Sequence, residues 1–272
     1  LPVKKFDGIG ALLYAVSMLT LMYGLSTITD AGSIFLAGFG LILFAVFVWY
    51  ELRSTHPLLH VRLFFENKRF ARSSYAALLN YAAIYAVTYM VSLYLQSVGQ
   101  LNAAEAGMIM LFQPLIQVVA TPVAGKISDK VDAKYLVTGG MILTIVGLLF
   151  LSGLGLSMTN VAGYIMITQV FIALGAALFS APNTSTIMGS VAPAEYSMAS
   201  SVVSVVRQAG MLISMAVCMA AVSVFVGGTD MLGPDMYAEF VEALRVSMLI
   251  SAGIAVAGVF FSWFRGPAPD RK

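Results

Sequence analysis

The densest group of ionisable side chains in this sequence is the segment GKISDKVDAK, which runs from Gly125 to Lys134. It holds three lysines and two aspartates in a chain where only 10% of residues are charged. A phosphate-binding loop needs the pattern GxxxxGK[ST] after a strand, whereas Gly125 here ends a long apolar run. We therefore predict a charged loop between two hydrophobic helices and no nucleotide site.

A second chemical signal is a stripe of polar and aromatic side chains inside the apolar runs. Five residues repeat at steps of three and four and so share one face of a helix: Tyr81, Tyr85, Tyr89, Ser92 and Gln96. Gln113 and Gln117, four residues apart, do the same in the next run. Such stripes indicate either hydrogen bonds between helices or the wall of a water-accessible cavity for hydrophobic or cationic ligands. We take Tyr85, Tyr89, Gln96, Gln113 and Gln117 as candidate cavity residues.

Arg207 is the one charge placed well inside an apolar run, about ten residues from its start, which is roughly 15 Å along a helix. An arginine near mid-bilayer costs about 2.5–3.5 kcal/mol on insertion scales. It could instead extend toward the nearer membrane surface. The alternative, which we carry forward, is a cavity residue that contacts an anionic group of a substrate or a partner carboxylate.

Motifs of enzymes and metal sites are missing from the sequence. HExxH, GxSxG and CxxC do not occur. The two histidines, His56 and His60, lie in one loop, Pro57 disfavours a helix there, and no third ligand is near. We therefore expect no catalytic residues, no metal and no cofactor, and the net charge of +2 is too small to indicate a nucleic-acid partner.

The elements that must position these residues follow from composition. The chain is 60% hydrophobic with a mean hydropathy of +0.90, against about 45–50% apolar residues in soluble domains. A membrane-spanning helix needs about 20 apolar residues. The sequence therefore predicts an all-α polytopic membrane protein with eight transmembrane helices. They are Gly8–Thr29, Gly32–Tyr50, Ser73–Val98, Ala104–Val123, Tyr135–Leu156, Val161–Ser180, Ser197–Val226 and Leu244–Phe264.

Charge gives an orientation to these eight segments. Thirteen of the fifteen Lys and Arg residues fall at the termini and in the loops on one side of the predicted membrane. Loops on the other side carry aspartate and glutamate instead. Because cytoplasmic loops are enriched in Lys and Arg, we predict that both ends of this chain and the 125–134 loop are cytoplasmic, in a protein of the plasma membrane.

Four stretches resemble the major facilitator superfamily, in particular its fourteen-span drug:proton antiporter branch. They are GKISDKVDAK, PLLHVRLFFENKRFA, FDGIGALLYAVSMLTLMYGLS and ASSVVSVVRQAG. The first resembles the cytoplasmic signature GxxxD[RK]xGR[RK], in which Gly125, Asp129, Lys130 and Lys134 match. Asp132 and Ala133 depart from that signature. The resemblance implies that this loop is a gating latch, weakened by those two departures.

The resemblance also implies a domain organisation. Residues 1–50 would be two central transmembrane helices, 51–72 a cytoplasmic amphipathic linker, 73–265 the C-terminal six-helix bundle built from two inverted three-helix repeats, and 266–272 a cytoplasmic tail. A partner N-terminal six-helix half, with the acidic residues tied to coupling, would be missing from this chain. In agreement, no Asp or Glu falls at mid-depth in any predicted span.

These expectations favour a secondary transporter and not an enzyme. The leading hypothesis is efflux of small amphipathic or cationic substrates by alternating access across the lipid bilayer, driven by the proton gradient. A facilitator or symporter for a metabolite has the same fold and stays open. A non-transporting membrane accessory subunit is the alternative from another class.

Overall fold

A computed structural model describes residues 7–26, 31–54, 63–156, 158–227 and 233–265. All regular secondary structure in these ranges is helical. The α-helices are α1 (Gly8–Ser26), α2 (Ala31–Arg53), α3 (Leu63–Glu66), α4 (Lys68–Ser97), α5 (Ala103–Met110), α6 (Phe112–Ser128), α7 (Ala133–Ser152), α8 (Val161–Met188), α9 (Tyr196–Phe225) and α10 (Tyr237–Trp263). Short 3-10 turns at Pro193–Glu195 and Pro234–Met236 precede α9 and α10.

Length and composition confirm the predicted fold class. Among the described residues, seven helical segments are long and apolar enough to cross a membrane. The helix α1 adds a shorter apolar segment, Gly8–Gly24. The predicted linker is described only in part, and His56, His60 and the tail 266–272 lie outside the described residues.

The fourth predicted span is one helical segment of membrane length, Ala103–Ser128. It consists of α5 and α6, and Leu111 interrupts the helix between them. Pro114 supplies the physical reason, because it has no N–H to donate to the Met110 carbonyl and its ring disfavours a regular turn before it. Pro182, by contrast, is accommodated inside α8, which continues to Met188 and not only to the predicted Ser180.

Side-chain caps fix several helix starts. Asn67 accepts from the amides of Arg69 and Phe70 at α4, and Asn102 forms a capping box with Glu105 at α5. Asp132 caps α7, and Asn160 caps α8. Each cap satisfies amides that a helix start leaves unpaired, so the ends of the spans are set locally.

The packing of the six helical segments after the linker shows an internal symmetry. One unit comprises α4, α5–α6 and α7, and the other comprises α8, α9 and α10. In the first unit, α4 packs on α9 and α10; in the second, α8 packs on α6 and α7; and α7 packs on α10. Exchanging the two units leaves this set of contacts unchanged, which is the pattern expected of a repeated three-helix unit.

Small residues allow the helices to approach closely, as membrane packing requires. A Cβ on Gly140 of α7 would lie 2.7 Å from the Gly175 carbonyl oxygen of α8. A Cβ on Gly210 of α9 would lie 2.5 Å from the Leu78 carbonyl oxygen of α4. Buried polar links add to this packing: the Ala86 amide of α4 donates to Ser214 Oγ of α9 at 2.9 Å. The pair α4–α9 is therefore held tightly beside the cavity described next.

Candidate functional site

A cavity of about 930 Å³ lies between α1, α4, α5–α6 and α9. It is open on one side, since Tyr85 and Tyr89 keep 46% and 42% of their surface exposed. Its lining comprises Met18, Met22, Tyr81, Ile84, Tyr85, Thr88, Tyr89, Ser92, Met110, Gln113, Gln117, Ala176, Gln208, Met211, Leu212, Met215 and Met219.

The chemistry of this lining is apolar and polarisable with neutral hydrogen-bonding groups. Six methionines, three tyrosines and three glutamines contribute, and none of the lining residues is charged. Methionine thioethers adapt to irregular shapes and contact aromatic rings favourably. Tyrosine rings offer flat faces, and glutamine amides can both donate and accept. The cavity is therefore suited to an amphipathic ligand with aromatic surface.

The structure brings together four of the residues that the sequence singled out. Tyr85 and Tyr89 of α4 face Gln113 and Gln117 of α6 across the cavity. Gln96 lies one turn beyond, where its Nε2 donates to Ser92 Oγ at 2.9 Å. Because Ser92 lines the cavity and Gln96 does not, the predicted stripe reaches the cavity only as far as Ser92.

Arg207 of α9 is the remaining candidate residue. Its side chain is exposed and is absent from the cavity lining, and the neighbouring Gln208 lines the cavity instead. A cavity contact by Arg207 is not formed in this structure.

Two parts of the lining were missed by sequence reasoning. The first is the methionine row Met211, Met215 and Met219 on α9, whose four-residue spacing was a readable signal. The second is α1, which contributes Met18 and Met22 and was expected only as one of a central helix pair. No local pattern marks α1 as a cavity element, because its contact with α9 is tertiary.

A single hydrogen bond fixes α1 against the cavity. The Tyr14 hydroxyl of α1 donates to Gln208 Oε1 of α9 over 2.6 Å. Its ring packs on Phe47 of α2 with centroids 5.5 Å apart, and Phe47 is 1% exposed. Tyr14 therefore links the α1–α2 pair to the side chain of a cavity residue.

The charged 125–134 segment lies away from this cavity. Gly125 belongs to the last turn of α6, Asp129 follows that helix as its C-cap, and Lys130 begins the turn. Lys134 Nζ stands 4.0 Å from the centre of the Trp263 ring, a cation–π contact with α10. Asp132 caps the start of α7, where its Oδ1 accepts from the Lys134 amide at 2.8 Å.

At the same end of the bundle, Arg265 forms hydrogen bonds with Ser262 of α10 and Thr186 of α8. It is 2% exposed; its Nε donates to the Ser262 carbonyl at 2.9 Å and its Nη2 to Ser262 Oγ at 2.8 Å. Burial and, to a smaller extent, the nearby positive charge of Arg69 lower the pKa of Arg265 to about 10, while the negative charge of Asp132 opposes the shift. Asp132, a departure from the family signature, thus supports two arginines electrostatically.

Apolar helices of membrane length, a symmetric six-segment bundle and an uncharged cavity between its helices define a polytopic membrane protein of the transporter type. The Major Facilitator Superfamily profile matches residues 6–215 and 73–272. The chain belongs to this superfamily of membrane transporters.

Curated relatives agree with that assignment. The chain is 30% identical over 207 residues to the Riboflavin transporter RibZ of Clostridioides difficile (strain 630), covering 75% of the chain and 44% of the relative. It is 26% identical over 219 residues to a Multidrug resistance protein B homolog of Mycobacterium tuberculosis, covering 76% and 39%. It is 23% identical over 256 residues to the Lincomycin resistance protein LmrB of Listeria monocytogenes, covering 93% and 51%. The chain thus spans about half the length of the relatives or less.

Proposed function

We propose that this chain is the central helix pair and C-terminal half of a proton-driven multidrug exporter of the fourteen-span branch. The observation that carries this proposal is the 930 Å³ cavity lined by tyrosine, methionine and glutamine with no charged side chain. Ligand sites of about 300–1,000 Å³ suit drug-sized molecules. Adaptable methionine surfaces are typical of proteins that bind many partners.

The substrates of this proposal are small amphipathic compounds, including cations with delocalised charge. The exposed faces of Tyr85 and Tyr89 can attract such a cation through their ring electrons. A compact, strongly hydrated cation would find no carboxylate in this lining. Relatives named for multidrug and lincomycin resistance support efflux as the direction.

The other half of the cavity would come from an N-terminal six-helix half. The helix α6 supports this arrangement, because beside the cavity it carries a large exposed apolar surface: Leu115 is 62% exposed, Val118 72% and Val119 71%. Alternating access would then rock the two halves about the shared cavity. The proton carrier belongs to that other half in this proposal, since none of the residues lining the described cavity is acidic.

The membrane orientation of the proposal follows from the basic end of the bundle. Lys126, Lys130, Lys134 and Arg265 lie at the ends of α6, α7 and α10 that meet there. Basic loops favour the cytoplasm, so this end, both ends of the chain and the 125–134 gating loop are assigned to the cytoplasmic face of the plasma membrane.

Expression of the full coding sequence that contains this chain, in a host lacking its own exporters, tests the proposal. We expect lower steady-state accumulation of a fluorescent amphipathic cation such as ethidium, and restored accumulation when the proton gradient is collapsed. The matched control is the Gln113→Leu/Gln117→Leu double variant, which removes two amides from the cavity lining. Cells with this variant should accumulate more of the dye than cells with the unmodified protein. Unchanged accumulation of a panel of amphipathic dyes would contradict the export function.

A second candidate function is transport of a neutral heterocycle such as riboflavin. The three glutamine amides of the lining can pair with the donor and acceptor edge of a flat ring system, and one relative bears the name of a riboflavin transporter. Radiolabelled riboflavin uptake and efflux in the same cells separates the two candidates, since an exporter of dyes alone would leave riboflavin levels unchanged.

A further inference from the structure

A smaller side cavity of about 320 Å³ lies behind the main one. The two cavities share Thr88, Met110, Gln113 and Gln117, so they are neighbours. The side cavity reaches past the interruption between α5 and α6 to Gln169 of α8. Pro114 has no N–H to donate to the Met110 carbonyl, so this part of the segment leaves a backbone acceptor without its helical partner.

Gln169 gives this side cavity a hydrogen-bond acceptor that is not satisfied within the described residues. The residue is 4% exposed, and its Oε1 is buried with no hydrogen-bond partner among the described residues. A buried acceptor without a donor is costly, at about 1–3 kcal/mol. On the same helix, Asn183 also has a buried Oδ1 without a partner among the described residues, but it lies outside both cavities and its Nδ2 donates to the Ser73 carbonyl at 3.0 Å.

The remaining polar groups of the side cavity complete a neutral recognition site. Thr88 offers a hydroxyl, and Gln113 and Gln117 offer amides that both donate and accept. The rest of the lining is apolar side chains and the backbone around Pro114. An ion would lack a counter-charge here, whereas a flat neutral group with an N–H beside a carbonyl would match both kinds of partner.

We propose that the side cavity is a subsite that binds a neutral amide or imide edge of the ligand, with Gln169 as the residue that accepts its N–H. The inference rests on the proposed transport function and narrows its substrate class: compounds that place such an edge behind the helix interruption bind more tightly than those that cannot. Because Gln169 Oε1 is covered in the empty protein, the proposed contact requires the Gln169 amide to rotate toward the side cavity. The binding energy comes from satisfying an acceptor that the empty protein leaves unpaired.

The test uses purified full-length protein in nanodiscs, with phthalimide and N-methylphthalimide as probes that differ only in the N–H. Equilibrium dialysis should show that N-methylation weakens binding to the unmodified protein by about fivefold or more, the equivalent of one lost hydrogen bond at a buried partner. In the Gln169→Leu variant the two probes should bind within about twofold of each other. The matched control is Asn183→Leu, a buried amide on the same helix outside the side cavity, which should keep the discrimination.

Thermal unfolding of the same variants supplies a second readout. Asn183→Leu should lower the Tm, because it removes an interhelical hydrogen bond, whereas Gln169→Leu should leave it unchanged or raise it, because it removes an unpaired buried acceptor. Equal affinity of the two probes for the unmodified protein, absence of binding by both, or retained discrimination in Gln169→Leu would each overturn the subsite. Transport failure with intact discrimination would instead overturn only the proposed function.

Discussion

At the scale of single residues, the bond from Tyr14 to Gln208 determines what the cavity presents to a ligand. The hydroxyl occupies Gln208 Oε1, so the amide nitrogen is the group left to donate. A ligand with a carbonyl or ring nitrogen is favoured at this position. Tyr14 touches Gln208 and is not itself part of the lining, which makes it a positioning residue.

We expect Tyr14→Phe to weaken binding of a carbonyl-bearing tricycle such as xanthone by about two- to tenfold, the value of one hydrogen bond. Binding of xanthene, which lacks the carbonyl, should hardly change. Equilibrium binding to the full-length protein in nanodiscs measures both. Tyr164→Phe is the control, since it removes an equally short 2.6 Å bond, to the Phe150 carbonyl, away from the cavity; equal effects of the two variants would contradict the assignment.

Tyr89 should act through its ring and not through its hydroxyl. It lines the cavity and is 42% exposed, so its face is available for stacking. Tyr89→Phe should keep the affinity for ethidium, whereas Tyr89→Ala should weaken it by about two- to tenfold, because aromatic contacts contribute roughly 0.5–1.5 kcal/mol beyond burial. Fluorescence titration measures this; an equal loss in both variants would show that the hydroxyl is the contact.

The basic end of the bundle gives a prediction about stability. Asp132→Asn keeps a competent helix cap but removes the negative charge that supports Arg69 and Arg265. We expect a loss of about 0.5–1 kcal/mol that shrinks in high salt, measured by thermal unfolding in detergent. The control Glu105→Gln removes a charge from the capping box of α5, and should cost less; the opposite order would contradict the role given to Asp132.

At the scale of elements, sequence patterns predicted which residues share one face of a helix. They were less informative about how a helix is oriented in the bundle and where it is interrupted. The tyrosine spacing on α4 and the Gln113–Gln117 pair each predicted residues that share one face of a helix, because helical periodicity is local. Arg207 shows the limit: the sequence did not reveal that its neighbour Gln208 lines the described cavity and that Arg207 does not. The α5–α6 interruption needed the tertiary outcome of Pro114, since Pro182 has the same chemistry and leaves α8 continuous.

The α4–α9 contact gives the prediction for this scale. Gly210→Ala would place a Cβ 2.5 Å from the Leu78 carbonyl oxygen and 2.8 Å from Tyr81 Cβ, so the two helices must separate beside the cavity. We expect a loss of about 1–3 kcal/mol, as for overpacked cores, and weaker ethidium binding. Gly253→Ala on α10 is the control, because its Cβ meets nothing within 4 Å, and it should be neutral or stabilising in thermal unfolding; a neutral Gly210→Ala would show that the helices are not in close contact.

At the scale of the whole molecule, hydropathy predicts the fold class, whereas the internal symmetry is seen in the packing of the helices. Hydropathy predicted an all-helical membrane protein, and the fold is confirmed. The exchange symmetry of the two three-helix units could not be derived from the sequence, which shows no clear identity between them. Shape, and not residue identity, is what the two units share: in each, the first helix packs on the second and third helices of the other unit.

The orientation of the molecule is testable with single cysteines in a Cys218→Ser background, since Cys218 is the only cysteine in the chain and is buried. Lys130→Cys and Thr159→Cys place exposed thiols at opposite ends of α7. Because Lys and Arg concentrate at the Lys130 end, a membrane-impermeant maleimide applied to intact cells should label Thr159→Cys, and should label Lys130→Cys only after permeabilisation. The reverse result would place the 125–134 loop outside the cell. It would also contradict the membrane orientation on which the proposed export is based.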